Sequence, residues 1–159
     1  VIDYEAAAEN AMRLIGATGI AGGKPILLVG DEHDRSATMA ALSVISGVIP
    51  INLNIDLAQA LIDVSGIRVD PATIIAELHP HTSLFLVERI QILMLPQLRI
   101  NALDVLTRVA RRRPIFASWP GRLDNGRLRY ADHDHPECLD EDASRALILD
   151  LSTNEGSAR

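Results

Sequence analysis

The chain has 159 residues, of which 48% are hydrophobic, 23% charged and 3% aromatic. That length and apolar content fit a single globular domain and exclude disorder over most of the chain. Apolar runs such as residues 25–29 and 90–96 fall well short of the ~20 residues that cross a bilayer, so no membrane span is expected. Asp3, Glu5 and Glu9 fit neither a secretory signal nor an Arg-rich transit peptide. The single cysteine, Cys138, can form no internal disulfide, and the cytoplasm is the expected compartment.

The net charge of -6 is unevenly spread. Residues 1–98 carry 5 basic and 11 acidic side chains, residues 99–129 carry 8 and 2, and residues 130–159 carry 2 and 8. The basic island in the middle is all arginine. Lys24 is the only lysine in the protein.

Asp3 is placed to cap a first helix through Thr18, ended by the glycine-rich residues 19–23. Residues 25–29 read as a strand buried on both faces, followed by a polar turn over 30–35 and a helix over 36–46. A second strand is expected over 48–54, with Pro50 suited to a sheet edge or an early strand position. Asp56 then caps a helix to Val64, and Asp70 with Pro71 caps another to Leu78. Residues 83–87 form the next buried strand. Asn101 caps an amphipathic helix ending in Arg111, Arg112 and Arg113, and residues 114–119 return as a strand. The turn Asp124-Asn125-Gly126 between two short runs signals a hairpin. Residues 146–152 supply a last strand, and 153–159 are expected to be a flexible tail. Alternating strands and helices imply a three-layer α/β domain over 1–152 with a mainly parallel sheet and a C-terminal hairpin.

The loop after the first strand is where a P-loop protein holds phosphate. The working pattern is G-x-x-x-x-G-K-[ST], in which backbone amides surround the phosphates, lysine reaches the terminal ones and a hydroxyl binds magnesium. Aligned on Gly30, the second glycine falls on Arg35, the lysine on Ser36 and the hydroxyl on Ala37. Asp31, Glu32 and Asp34 add negative charge that opposes a triphosphate, and Lys24 lies before the strand. The structural alternative is an acidic helix start favoured by the helix dipole. A second P-loop element would be a strand ending in a magnesium-binding carboxylate. The run Leu84-Phe-Leu-Val-Glu88 has that form, with Arg89 where a catalytic glutamate often follows.

Residues 84–138 carry a longer pattern. Leu-Phe-Leu-Val-Glu-Arg-Ile-Gln-Ile-Leu leads to Pro96, then to Ala110-Arg-Arg-Arg-Pro114, Ser118-Trp-Pro-Gly121, Leu128-Arg-Tyr-Ala131 and His135-Pro-Glu137. In this order the chain resembles BrxF, the small P-loop-containing family of type 3 BREX systems, which defend bacteria against phage. The resemblance runs from about residue 5 to 152. It implies a P-loop NTPase-like domain working beside larger defence proteins, a larger ATPase or a methylation component among them, with DNA reached through those partners. The loop departs from the family at Arg35, Ser36 and Ala37, and the strand end at Glu88 and Arg89. Gly30, Arg35, Ser36 and Glu88 then stand as vestigial phosphate-loop and strand-end positions, with neither ATP nor magnesium as a resident cofactor.

The segment Asp132-His-Asp-His-Pro-Glu-Cys138 is rich in metal-ligand types but matches no closed zinc spacing. Trp119 suits base stacking or, more simply, packing at a strand end. Arg111, Arg112 and Arg113 suit the negative end of a helix, while with Arg122, Arg127 and Arg129 they form a surface for an acidic partner or for phosphate. The sequence therefore points to a non-catalytic, P-loop-like subunit of a phage-defence assembly acting through these arginines. Its alternatives are an active ATPase whose site a neighbouring subunit completes, in a homo-oligomer, and a DNA-binding accessory protein.

Overall fold

Tyr4–Thr18 forms α1, and the carboxylate of Asp3 accepts the amide of Ala6 at 3.0 Å to cap it. The computed structural model describes residues 2–18, 23–63, 70–132 and 134–152. The expected helix stop at 19–22, the helix end at Val64 and the tail 153–159 lie outside them. Ile26–Val29 is β1, buried at all four positions. A strand without polar alternation must be covered on both faces. Ile26 and Leu28 pack with Ala7, Ala8 and Ala11 of α1 and with Met39 and Leu42 of α2 (Glu32–Ser46). Leu27 and Val29 face the opposite cluster, built from α3 (Leu53–Asp63), α4 (Pro71–Leu78) and α5 (Ala102–Ala110). The result is three layers.

The large sheet holds β1, β2 (Ile51–Asn52), β3 (Phe85–Glu88), β4 (Ile115–Ser118) and β8 (Leu147–Asp150) in the order β2-β3-β4-β1-β8. Every pairing in it is parallel, with Leu27 opposite Ala117 on one side and Ile148 on the other. A second, antiparallel sheet is formed by β5 (Arg122–Asp124), β6 (Arg127–Tyr130) and β7 (Leu139–Asp142). Asn125 at φ 48° and Gly126 at φ 74° make the turn between β5 and β6. Both central residues are left-handed, as a two-residue hairpin turn requires. Among the described residues no helix is long and apolar enough to cross a membrane.

Several expected elements are corrected. Helix α2 starts at Glu32 rather than near Ser36, because Asp31 caps it and acidic residues favour a first turn. The second strand shrinks from 48–54 to two residues. Pro50 offers no ladder donor, and the Asn52 side chain accepts the amide of Ile55 at 3.3 Å, which starts α3 before Asp56 rather than at it. Two 3-10 turns, Ile90–Met94 and Pro96–Leu98, fill a stretch without an expected element. Strand β7 adds a third strand to the expected hairpin; its sequence LDED lacks the apolar alternation that marks a half-buried strand.

The Trp-Pro-Gly turn joins the two sheets. Trp119 is completely buried in the cluster that also holds Leu128 of β6, so its ring serves packing. Gly121 passes so close to β6 that a Cβ there would stand 1.8 Å from the carbonyl oxygen of Arg129 and 2.9 Å from Trp119 Nε1. Backbone must move to admit any side chain. Gly121→Ala is expected to cost about 3 kcal/mol in denaturant unfolding. A loss within measurement error would show that β6 yields without strain.

Candidate functional site at the carboxyl ends of the parallel strands

Connections leaving β1 and β4 diverge. The chain runs from β1 through α2 to β2 at one edge, and from β4 through the small sheet to β8 at the other. In open α/β sheets such a divergence leaves a crevice outside the carboxyl ends of the strands. A cleft of about 210 Å³ lies there, lined by Glu32, Arg35, Ser36, Glu88, Arg89, Gln91, Ser118 and Pro120. The structure thus brings Arg35, Ser36 and Glu88 to one cleft, with Gly30 at its β1 side. Ser118 and Gln91 join them without any sequence signal beyond a polar residue near a strand end.

Gly30 has φ 152°, and a Cβ on it would come within 3.0 Å of Leu151 Cβ. Beyond it, the chain closes the start of α2 with its own groups. Asp31 Oδ1 accepts the amide of Asp34 at 2.9 Å, and the Asp31 carbonyl accepts the amide of Arg35 at 3.0 Å. Tyr4 of α1 donates its hydroxyl to Asp34 Oδ1 at 2.6 Å, and that hydrogen bond holds the phenol above its ordinary pKa. The acidic turn is therefore held in place from a neighbouring helix.

Arg35 crosses the cleft. Its Nε donates to the Gly30 carbonyl at 3.0 Å and one terminal nitrogen donates to Ser118 Oγ at 2.7 Å, tying the end of β1 to the end of β4. Burial pulls the guanidinium below its ordinary pKa, while Glu32 opposes that shift. Arg89 closes the other side through an ion pair with Glu32 at 2.6 Å. It does so from a left-handed backbone, φ 55° and ψ 56°, that non-glycine residues rarely adopt. The carbonyl of Arg89 accepts the amide of Asn54 at 3.0 Å, and Asn54 Oδ1 accepts the amide of Ile92 at 2.9 Å. Such local strain persists where surrounding contacts fix the backbone. Two arginines and two glutamates leave the cleft lining formally neutral.

The six candidate contact arginines of the basic island divide. Arg113 is turned inward: its terminal nitrogens donate to the carbonyls of Ala76, His79 and Thr82 at 2.9–3.0 Å, and its guanidinium stacks 4.5 Å from the centre of the Phe85 ring. It finishes α4 as much as it ends α5. Arg127 pairs with Asp140 at 2.8 Å, Arg129 lies 3.6 Å from Asp124, and Arg122 lies 3.9 Å from Asp132. Arg111 and Arg112 are exposed at the opposite end of the sheet from the cleft, with Arg111 lying along Gly23. The island is therefore two surfaces. Cys138 is half-buried beside a separate cavity of about 330 Å³ between residues 93–102 and 136–141; His133, in the ligand-rich segment, lies outside the described residues.

Comparison of the chain with protein-family models, curated proteins and solved structures finds no match.

Capping makes this region sensitive to acid. The Asp34 amide holds Asp31 below its ordinary value of 3.8, and the Ser144 amide does the same for Asp142 at the end of β7. A depressed native pKa contributes stability above the unfolded value and loses it as pH falls through the native one. Stability should therefore fall as pH drops from about 5 to about 2. Asp31→Asn keeps a capping acceptor but no titration there, so its acid limb should be shallower with neutral stability nearly unchanged. An identical acid slope in variant and parent would place the sensitivity elsewhere.

Proposed function

We propose that the chain is a P-loop-like α/β subunit that does not hydrolyse nucleotide and acts through protein contacts in a bacterial phage-defence assembly of the BREX type. The assembly and its family are suggested by the Trp119-Pro-Gly121 and His135-Pro-Glu137 segments. A larger ATPase or methylation component is the partner this reading implies. What supports the non-catalytic part is the start of α2, where the Asp31 carboxylate occupies the place of an anion and satisfies the amide of Asp34. A phosphate at a helix start is held by free amides and positive charge. Here a carboxylate, a neutral cleft and the Arg35 bridge to Ser118 stand instead.

Nucleotide titration tests the site. With ATP and magnesium, the protein should show no saturable rise in melting temperature and no phosphate release. A ligand at 100 times its dissociation constant stabilises a fold by about 2.7 kcal/mol, and a shift of that order would establish a working nucleotide site.

Partner capture tests the contacts. Arg113, Arg122, Arg127 and Arg129 have intramolecular partners, which leaves Arg111 and Arg112 as the pair to reverse. Arg111→Glu with Arg112→Glu should abolish capture of the partner ATPase or methylation component at an unchanged melting temperature. Undiminished capture would remove this corner from the interface.

A further inference from the structure

Four charged side chains line the cleft, and only two of them pair with each other. Glu32 and Arg89 form the ion pair described above. Arg35 and Glu88 do not. The Arg35 guanidinium is half-buried, and both of its hydrogen bonds go to neutral oxygens, the Gly30 carbonyl and Ser118 Oγ. Among the described residues no carboxylate forms an ion pair with it, and its second terminal nitrogen donates to none of them. Glu88, the last residue of β3, is half-buried as well, and its carboxylate has neither a hydrogen bond nor an ion pair with a described residue. Charge withdrawn from water is ordinarily compensated by an opposite charge. Here one cation and one anion stand in the same cleft without it.

We propose that the cleft binds a small zwitterion, a free α-amino acid with a small or polar side chain, its carboxylate held by Arg35 and Ser118 and its ammonium by Glu88. The charge count selects this class of ligand. A simple anion answers Arg35 but leaves Glu88 unpaired and adds repulsion to it, and a simple cation does the reverse. One molecule carrying both charges compensates both groups. Hydrogen-bonding capacity agrees. Arg35 has used two of its five N–H donors, and the Ser118 hydroxyl, which accepts from Arg35, keeps its own proton to donate. A carboxylate accepts from both. For the ammonium protons the acceptors are the Glu88 carboxylate and the Gln91 amide oxygen, which takes only a 3.4 Å hydrogen bond from Asn54.

The cleft also limits the side chain. Its volume of about 210 Å³ is below the ~300–1,000 Å³ of sites for drug-sized ligands, and Pro120 is the one apolar residue in its lining. A small or polar side chain fits such a wall; an aromatic one finds no apolar surface to cover. This site is independent of the defence assembly and of Arg111 and Arg112, which lie at the opposite end of the sheet.

Calorimetric titration and thermal melting of the full chain test the proposal. The probes are glycine, alanine, serine, threonine and asparagine at ~10 mM, enough to saturate a site with a Kd near ~1 mM. At least one of them should bind saturably and raise the melting temperature. Its N-acetyl form and its methyl ester, each lacking one of the two charges, should bind about tenfold or more weakly, as should acetate and methylammonium. Glu88→Gln keeps the shape of the side chain and removes its charge, so it should weaken the same amino acid about tenfold or more while the free protein melts as the parent does. Absence of binding by all five, or equal binding of an amino acid and its N-acetyl form, would overturn the proposal. Unchanged affinity in a folded Glu88→Gln protein would do so too. The comparison of free and blocked ligands is made on the parent chain and decides the matter whether or not that variant folds.

Discussion

Arg35 is the residue on which the upper end of the sheet depends. Parallel strands end in rows of carbonyls and short loops, and neighbouring ends have no hairpin to hold them together. By donating to both the Gly30 carbonyl and Ser118 Oγ, the Arg35 guanidinium substitutes for that link between β1 and β4. A planar fork with separate donors can do this; a lysine would deliver one point charge on a flexible stem. The same choice commits two of the five donors of a cleft cation to the protein. Glu32, engaged with Arg89, spends the opposing charge in the same way.

Arginine plays a comparable internal part elsewhere. Arg113 collects three carbonyls left at the end of α4 and covers Phe85, and Arg145 joins Asp104 of α5 to Glu141 of β7. Asn101 Nδ2 adds a 2.6 Å hydrogen bond to the same Glu141. These contacts fasten the small sheet to α5. A basic block followed by an acidic one, seen in the sequence as charge asymmetry, is thus largely a set of cross-links between segments that become neighbours only in the fold.

That difference explains what the sequence makes legible. Elements carried by local physics are readable: the Asp3, Asp70 and Asn101 caps, the all-apolar β1, the largely apolar β3 and β4, and the Asn125-Gly126 turn. The positions Arg35, Ser36 and Glu88 can be grouped because a strand-loop-helix order sends them toward one end of a parallel sheet. Ser118 and Asn54 cannot, since each acts through a partner 37 or more residues away. The acidic helix start is readable as the structural alternative to a phosphate loop, but the exact first residue of α2 escapes the sequence for a related reason. Glu32, His33, Asp34 and Arg35 look like a solvated loop, and only the Asp31 cap together with the Tyr4 hydroxyl reveals them as helix. Strand β7 is acidic throughout its centre and is recruited by the arginines of β6, a pairing that no periodicity within LDED announces.

The cleft and the β2 edge of the sheet share a support. Asn54, in the first turn of α3, donates its amide to the Arg89 carbonyl and accepts the Ile92 amide on its side chain. It thereby holds the left-handed Arg89 that pairs with Glu32 across the cleft. Its neighbour Ile55 points outward at the sheet edge. Asn52, one residue before α3, is in register with Glu88 at the end of β3. The position of α3 is therefore tied to the backbone of Arg89. Order at the start of α3 and order on the Arg89 side of the cleft are for this reason joined, through the Asn54 amide and the Arg89 carbonyl.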